Sequence, residues 1–382
     1  MRICHVAPEL LPVPPDKGGA IERWIRDASR RLASRGHDVH VVSRDHGDGV
    51  SERHVDGVSH HFVRIPAAID RGQAAVVFRG AWYFMKAAAV VARLKPDIVH
   101  HHSRPSGVFC SHLRAPQARH VLSLHSMQYG WPCVYAGIDR TVFDAAFRAC
   151  ARVLSVSEFI RRHALESYPQ LDGKLATLYN GVDGGLFHPD AANGRATDLI
   201  VYVGRVEERK GVQVLVDAFE QILTVRPGAR LRIVGPHSYW AASPSAFYTE
   251  LGERCRRVGG IELRDATYVD DELAAVYRSA TVGVVPSVFP EALGLTSLEA
   301  QASGVPVVVS DAGGLPETVL EGESGLVVAR SNAGALAAAI LALLGDATRV
   351  GEMGRRAREW VMSRFSWDRI AGELEAIYAE VV

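Results

Sequence analysis

The stretch from 284 to 328, VVPSVFPEALGLTSLEAQASGVPVVVSDAGGLPETVLEGESGLVV, constrains the fold more than any other part of the chain. An apolar run at 281–285 stops at Pro286. After a loop, a segment of helical pattern (293–303) ends at Gly304, and a second apolar run fills 306–310. Strand, loop, helix and strand in that order form a parallel crossover, which requires a parallel sheet with helices on its faces. Two carboxylates bracket the helix start, Glu291 just before it and Glu299 inside it. Eight residues of helix rise about 12 Å at ~1.5 Å each, roughly the reach from a sugar ring across a diphosphate to a ribose. Between them, the amides of Ala292, Leu293, Gly294 and Leu295 are expected at the positive end of a helix dipole, where unpaired N–H groups suit a diphosphate. The expectation is a nucleotide-sugar site.

At 382 residues the chain is expected to form two domains. Hydrophobic residues make up 48% and charged residues 23%, an ordinary globular composition. The formal net charge of zero argues against a general nucleic-acid binder. Cys4, Cys110, Cys133, Cys150 and Cys255 are scattered and lack any CxxC spacing, so neither a disulfide framework nor a zinc site is expected, and a reducing compartment fits. The opening residues MRICHVAPEL lack a long apolar region, and a cytoplasmic location is expected.

Residues 2–7 read as a short buried strand, followed by a loop rich in Pro and Gly and a helix at 21–34. Gly18 and Gly19 let backbone approach a ligand ahead of a helix N-terminus, or form a mere turn. The spacing is not GxGxxG, so a dehydrogenase is not expected. Strands at 38–43, 58–65, 97–101, 119–124 and 152–155 alternate with helices at 74–94, near 140–150 and from 157. That rhythm places ligands beyond the carboxyl ends of the strands, which singles out Glu9, His101 to Ser103, His125 and Glu158. Side chains alternate faces along a strand, so the adjacent His100, His101 and His102 are not expected to converge on one metal ion. His125 either faces the cleft or is a hydrogen-bonded structural residue. The helix carrying Arg23, Arg26, Arg30, Arg31 and Arg35 could dock on anionic lipid, but a solvated face is favoured.

Turn residues at 178–189 and a loop at 191–197 read as the interdomain linker. A second series starts at 199–203, and its first loop, Gly204 to Gly211, carries Arg205 and Lys210 in a chain with only five lysines. Such a pair beyond a strand end makes a diphosphate clamp, though by composition alone it could equally be a solvated charge run. Helix 212–224, strands at 231–234 and 261–263 and helix 271–279 follow. The irregular segment 236–246 (PHSYWAASPSA) reads as a variable surface loop, with a lid as the alternative. Helices at 333–344, 348–364 and 367–382 end the chain, the last one amphipathic.

These residues resemble the GT-B glycosyltransferases, specifically retaining glycosyltransferase family four. The matching elements are Gly18-Gly19, Asn180-Gly181-Val182-Asp183, Gly204-Arg205 with Lys210-Gly211, and Pro286-Ser287 followed by Glu291-Ala292-Leu293-Gly294 and Glu299, the E-x7-E signature. The resemblance spans essentially the full length. It implies an α/β fold of two Rossmann-like doubly wound domains facing across a cleft: an acceptor-binding domain at 1–182, a nucleotide-sugar domain at 183–364, and a final helix at 365–382 crossing back to the first domain.

It further implies transfer of a hexosyl unit from a nucleotide-diphosphate sugar, most commonly a UDP-sugar such as UDP-glucose or UDP-GlcNAc, to an acceptor hydroxyl with retention. No metal or other cofactor is implied, because Arg205, Lys210 and helix amides would neutralise the diphosphate. Glu291 would hold donor-sugar hydroxyls, Glu299 the ribose, and Gly19 and His125 would approach the diphosphate and sugar. The implied mechanism is a front-face displacement in which the leaving phosphate oxygen takes the acceptor's proton. Acceptor candidates are Glu9, His102, Tyr129 and Trp131, and saccharide, aminocyclitol, lipid-linked and natural-product acceptors all stay open. A GT-B nucleotide-sugar epimerase and a non-catalytic nucleotide-sugar-binding protein are the alternatives.

Overall fold

The computed structural model describes residues 1–16, 18–70, 75–127, 138–190, 197–237, 243–266 and 269–382. The chain divides into two compact units, one of Met1–Asn180 with Trp367–Val382 and one of Gly181–Ser366. The first boundary therefore falls two residues before the expected 182, and the return to the first unit begins at Trp367 rather than 365.

The first unit is built on β1 (Arg2–Val6), β2 (Asp38–Arg44), β3 (Glu52–Val55), β4 (Val58–Val63), β5 (Ile98–His102), β6 (Arg119–Leu124), β7 (Cys150–Ser155) and β8 (Leu175–Thr177). Their order is β3-β4-β2-β1-β5-β6-β7-β8, parallel except for β3, which pairs antiparallel with β4. The central strands carry continuous apolar runs because helices cover both faces; Ile3, Val41, Val99 and Val121 are all fully buried. Strand order reverses direction between β1 and β5. Ligands of doubly wound sheets gather at such a switch point.

The second unit repeats the plan with β9 (Leu199–Val203), β10 (Arg230–Val234), β11 (Ile261–Arg264), β12 (Val282–Val285), β13 (Val307–Ser310) and β14 (Gly325–Val328), in the order β11-β10-β9-β12-β13-β14. Its switch point lies between β9 and β12, and the loops after those two strands are the ones the sequence marked. The Val212–Val225 helix packs Val212, Leu215, Phe219 and Ile222 into the core beside Leu336, Ile340 and Leu343 of the Ala333–Leu344 helix.

The final helix, Trp367–Val381, buries Trp367, Ile370, Leu374 and Tyr378 against Trp24, Ile25 and Leu32 of the Ala20–Ser34 helix. The arginines of that second helix find partners inside the unit. Arg26 pairs with Asp27 at 2.8 Å, Arg30 with Asp56 at 3.2 Å and Arg35 with Glu375 at 2.9 Å, while Arg31 lies over the Trp367 ring. Among the described residues no single helix is long and apolar enough to cross a membrane.

The crossover helix runs Leu295–Ala302, starting two residues later than expected. Gly294 has φ +112°, which no helix accommodates, so Ala292 and Leu293 belong to the loop in spite of their helical propensity. The separation of Glu291 from Glu299 is accordingly set by that loop as well as by helical rise. The helices Pro105–Arg114 and Ala246–Val258 and the strands β3 and β8 are additions to the expected elements. Residues 238–242 of the expected surface loop lie outside the described residues. Beyond them Ser245 caps the Ala246–Val258 helix by accepting from the Tyr248 amide.

Candidate active site

The switch point of the second unit gathers three sets of polar groups. β9 is followed by Gly204 and Arg205, where the Tyr202 hydroxyl donates to the Arg205 carbonyl at 2.7 Å. A single 3-10 turn, Glu208–Lys210, then leads to Gly211, which has φ +71° and starts the next helix. A Cβ at Gly211 would stand 2.0 Å from the Pro286 carbonyl oxygen. The loop after β9 and the loop after β12 therefore touch backbone to backbone, and that contact places Lys210 beside Glu291 although 81 positions separate them. Lys210 Nζ donates to Glu291 Oε1 at 2.6 Å, and Ser287 Oγ donates to the same oxygen at 2.5 Å. The Glu291 backbone is pinned as well: its amide donates to the Ala312 carbonyl and its carbonyl accepts from Gly314.

Burial pushes the Glu291 carboxyl upward, but Lys210, Ser287 and Arg205 together outweigh it and hold it below the ordinary value of 4.5. Glu291 is thus a carboxylate at neutral pH. It can accept hydrogen bonds from sugar hydroxyls and has no proton to give as a general acid. Arg205 donates to Glu207 at 2.7 Å, and Arg209 donates to the other oxygen of Glu207. The amino end of the Leu295–Ala302 helix begins at Gly294, which offers no side-chain cap, so its dipole and first amides face no capping oxygen from that residue. Inside that helix Glu299 is 3% exposed and accepts from the Tyr277 hydroxyl at 2.9 Å.

Gly204, Arg205, Lys210, Glu291, Ala292, Leu293, Gly294, Leu295 and Glu299 all fall within this region of the second unit. Ser287 and Tyr277, which brace the two carboxylates, carried no signal for that role in the sequence.

In the first unit, Gly19 caps the Ala20–Ser34 helix without a side-chain cap, and Gly18 precedes it. Behind Gly19 stands Glu22, whose carboxylate oxygen lies 2.5 Å from the place a Cβ on Gly19 would take. Burial raises the Glu22 pKa to about 7, with the charge of Glu9 adding to the shift. Glu9, 3% exposed, is gripped by Arg104 through both oxygens, at 3.0 and 3.1 Å. Glu22 and Arg104 were not among the expected residues. The signal for Glu22 was its place in the first turn of a helix, where an acid meets the positive dipole end.

His102 was expected to face an acceptor. It is instead 1% exposed, and both of its ring nitrogens are engaged, one by His5 and one by His125. Tyr129 and Trp131 lie outside the described residues. Alternating faces separate His101 from its neighbours, but the adjacent strand brings in a further histidine. His100 and His102 share a face, and His5 of β1 sits directly opposite His100, so the three offer ligand atoms within 4.8 Å of one another. Both nitrogens of His100 are already bonded, to Tyr378 and Ser123. The cluster as it stands is a hydrogen-bonded one.

Two doubly wound parallel sheets in one chain, the second with a Lys–Glu pair and an uncapped helix end at its switch point, are the arrangement expected of a GT-B glycosyltransferase. The sucrose-phosphate synthase from Thermosynechococcus elongatus superposes on the whole chain with a TM-score of 0.85 at 22% identity, covering 99% of that structure. Anabaena HepE in complex with UDP-glucose superposes with a TM-score of 0.78 at 17% identity, over 100% of both chains. In sequence, residues 18–184 match the family model Glycosyltransferase Family 4, and residues 197–346 match Glycosyl transferases group 1. Spore coat protein SA of Bacillus subtilis (strain 168) is 27% identical over 397 residues, covering 99% of each chain. The chain belongs to the family-four glycosyltransferases of GT-B fold; it is an enzyme, a hexosyltransferase.

Proposed function

We propose that this enzyme moves a hexosyl unit from a UDP-sugar, UDP-glucose or UDP-GlcNAc, to an acceptor hydroxyl with retention of configuration and without a metal ion. The observation that carries the reading is the Lys210–Glu291–Ser287 constellation beside an uncapped helix end. It offers a cation and a dipole to a diphosphate, and an ionised carboxylate to sugar hydroxyls. HepE, which shares the fold, is solved with UDP-glucose, and this favours uridine as the base.

In the proposed reaction the bond from the sugar C1 to the diphosphate oxygen breaks while C1 bonds to the acceptor oxygen on the same face. The acceptor's proton passes to the departing phosphate oxygen, and UDP leaves. Arg205, Lys210 and the amides at Leu295 stabilise the charge that builds on that oxygen, the role a divalent ion fills in other enzymes. Glu291 orients the sugar and Glu299 the ribose. Gly18, Gly19 and His125 are proposed donor contacts, and Glu9 an acceptor contact, on the strength of the family resemblance. The acceptor is a saccharide, aminocyclitol, lipid-linked or natural-product hydroxyl. The described cysteines Cys4, Cys110, Cys150 and Cys255 are free thiols, which supports a cytoplasmic site of action.

A thermal-shift screen of UDP, GDP, ADP and their sugars, in buffer containing EDTA, tests the donor. Product analysis with an acceptor panel follows. Stabilisation by UDP and a UDP-sugar is expected. Failure of every nucleotide to stabilise the protein would overturn the reading, and turnover of a UDP-sugar to its epimer without acceptor would replace it.

A further inference from the structure

The carboxyl edge of the first unit's sheet holds a chain of imidazoles. β1 lies beside β5 with His5 opposite His100, and β5 lies beside β6 with His102 opposite Ser123. His125 follows Ser123 by two residues and so emerges on the same side. His5 Nδ1 is 3.1 Å from His102 Nε2, and His102 Nδ1 is 3.0 Å from His125 Nε2. His100 stacks on His102 with ring centroids 4.3 Å apart. His100 is itself fixed at both nitrogens, 2.6 Å from the Tyr378 hydroxyl and 2.7 Å from Ser123 Oγ. Trp24 packs against His5, His100, His102 and His125, so the chain has a rigid wall along its length.

Burial pushes all four rings far below the ordinary value of 6.5, His5 and His125 to about 3, so each is neutral. A neutral imidazole has one N–H and one lone pair. The three linked rings therefore have two self-consistent states. With protons directed outward, His5 donates to His102, His102 donates to His125, and His125 keeps its proton on Nδ1. With protons directed inward, each bond reverses and His125 carries its proton on Nε2.

The inner end of the chain decides between them. His5 Nε2 is buried and has no hydrogen-bond partner among the described residues. The outward state leaves a bare lone pair there, whereas the inward state leaves an N–H. Among buried backbone groups an N–H without an acceptor is rarer than an under-satisfied oxygen, and the same preference is taken to hold for the imidazole. We propose that His102, backed by His5, is a positioning residue that holds His125 in the tautomer with its proton on Nδ1, so that the strand end presents an N–H donor. This deepens the donor-contact role proposed for His125 and rests on it: the ring gives a hydrogen bond to an oxygen of the substrate instead of taking one.

The tautomer can be read directly. Full-length protein carrying 15N-histidine, free of substrate at pH 7.5, is recorded by long-range 1H–15N correlation, with His125 assigned by the loss of its signals in His125→Gln. The expected wild-type pattern has Nδ1 protonated and Nε2 bare. In His102→Phe, which fills the space without a ring nitrogen, His125 is expected to move to the Nε2–H form or a mixture. A wild-type His125 protonated on Nε2 overturns the proposal, and so does an unchanged Nδ1–H pattern in a folded His102→Phe. The wild-type spectrum alone decides if the variant fails to fold. Because no donor is present, failure of the tautomer leaves the UDP-sugar reading standing, and failure of donor binding leaves the tautomer result intact.

Discussion

Lys210 Nζ and Glu291 Oε1 meet at 2.6 Å, so the cation best placed for a diphosphate and the carboxylate best placed for a sugar are joined to each other. Both are partly buried, at 23% and 18% side-chain exposure. Such a pair gains from its Coulomb attraction, and stranding either partner is costly. The arrangement holds two long side chains in register before any ligand arrives. On the proposed reading a diphosphate shares the Lys210 ammonium, which has three N–H donors, with Glu291. Binding of the nucleotide and binding of the sugar would then be coupled through this one ion pair.

This coupling separates two variants. Glu291→Gln keeps the shape but frees the Lys210 ammonium, so UDP itself should bind at least as tightly as to wild type. Hexosyl transfer should fall by about 100-fold or more, the scale of losing one preorganised charge contact. Lys210→Met should weaken UDP about tenfold or more as well as slowing transfer. Calorimetric titration with UDP checks both, and equal weakening by the two variants would refute the division of labour.

Gly211 is a point of close backbone approach between the two loops. An alanine there would need φ +71° and would bring Cβ to 2.0 Å from the Pro286 carbonyl. The expected cost of Gly211→Ala is about 2 kcal/mol or more, a fall in Tm of about 4–8 °C, with loss of UDP affinity as Lys210 leaves Glu291. Gly228→Ala, with nothing within 4 Å of its Cβ, serves as the neutral control. Scanning calorimetry of the two variants settles the matter.

Much of this organisation was legible in the sequence because buried parallel strands read as plain apolar runs, and the loops that follow them carry the chemistry. The loops carrying Glu291 and Arg205–Lys210 could be placed after strands from pattern, and the family resemblance joined them into one site. What escaped had weak or misleading patterns. β3 is the polar edge segment ERHV, and the Pro105–Arg114 helix mixes glycine, serine and cysteine in place of a clear apolar stripe. Ala292 and Leu293 favour helix locally, yet the φ of Gly294 moves the helix start beyond them. The histidines failed for a different reason: periodicity within one strand cannot show that the neighbouring strand brings His5 into register with His100. Tyr277 and Arg104 act through partners distant in sequence, so no local spacing marks them, and Ser287, four residues before Glu291, has no spacing that sets it apart from any loop serine.

Glu299 depends on one such partner. The Tyr277 hydroxyl donates to Glu299 Oε2 at 2.9 Å, and both residues are nearly fully buried. Tyr277→Phe removes that donor from a buried carboxylate, a loss of about 1–3 kcal/mol in stability. With the carboxylate less firmly held against the ribose, the donor KM should rise about tenfold while kcat stays within about threefold, the pattern of lost uniform binding. Steady-state kinetics at varied UDP-sugar decide it. A drop in kcat at unchanged KM would place Glu299 in the chemical step instead.

Acid should unfold the protein early, and the buried histidines say where. His5 and His125 are held at about 3, and His60 and His120 at about 4, against 6.5 in the unfolded chain, in every case chiefly by burial. Below about pH 6.5 the unfolded chain therefore takes up protons that the folded one refuses. Stability is complete above that value and declines as the pH falls towards 3–4, by up to about 1.4 kcal/mol per pH unit for each such histidine. Glu22 works the opposite way. Its folded value of about 7 lies above the ordinary 4.5, so its contribution is complete below 4.5 and is lost as the pH rises through 7. These four histidines, joined by His100, His101 and His102 that burial shifts the same way, outweigh one glutamate and leave a net loss on acidification across 6.5 to 4.5, steepening below 4.5 where Glu22 no longer compensates. Tm measured from pH 8 to 4 should show that decline, and Glu22→Gln should raise Tm relative to wild type above pH 7 more than at pH 5. A Tm that stays flat between pH 6.5 and 4.5 would show that these imidazoles gain protons in the folded state as readily as in the unfolded one.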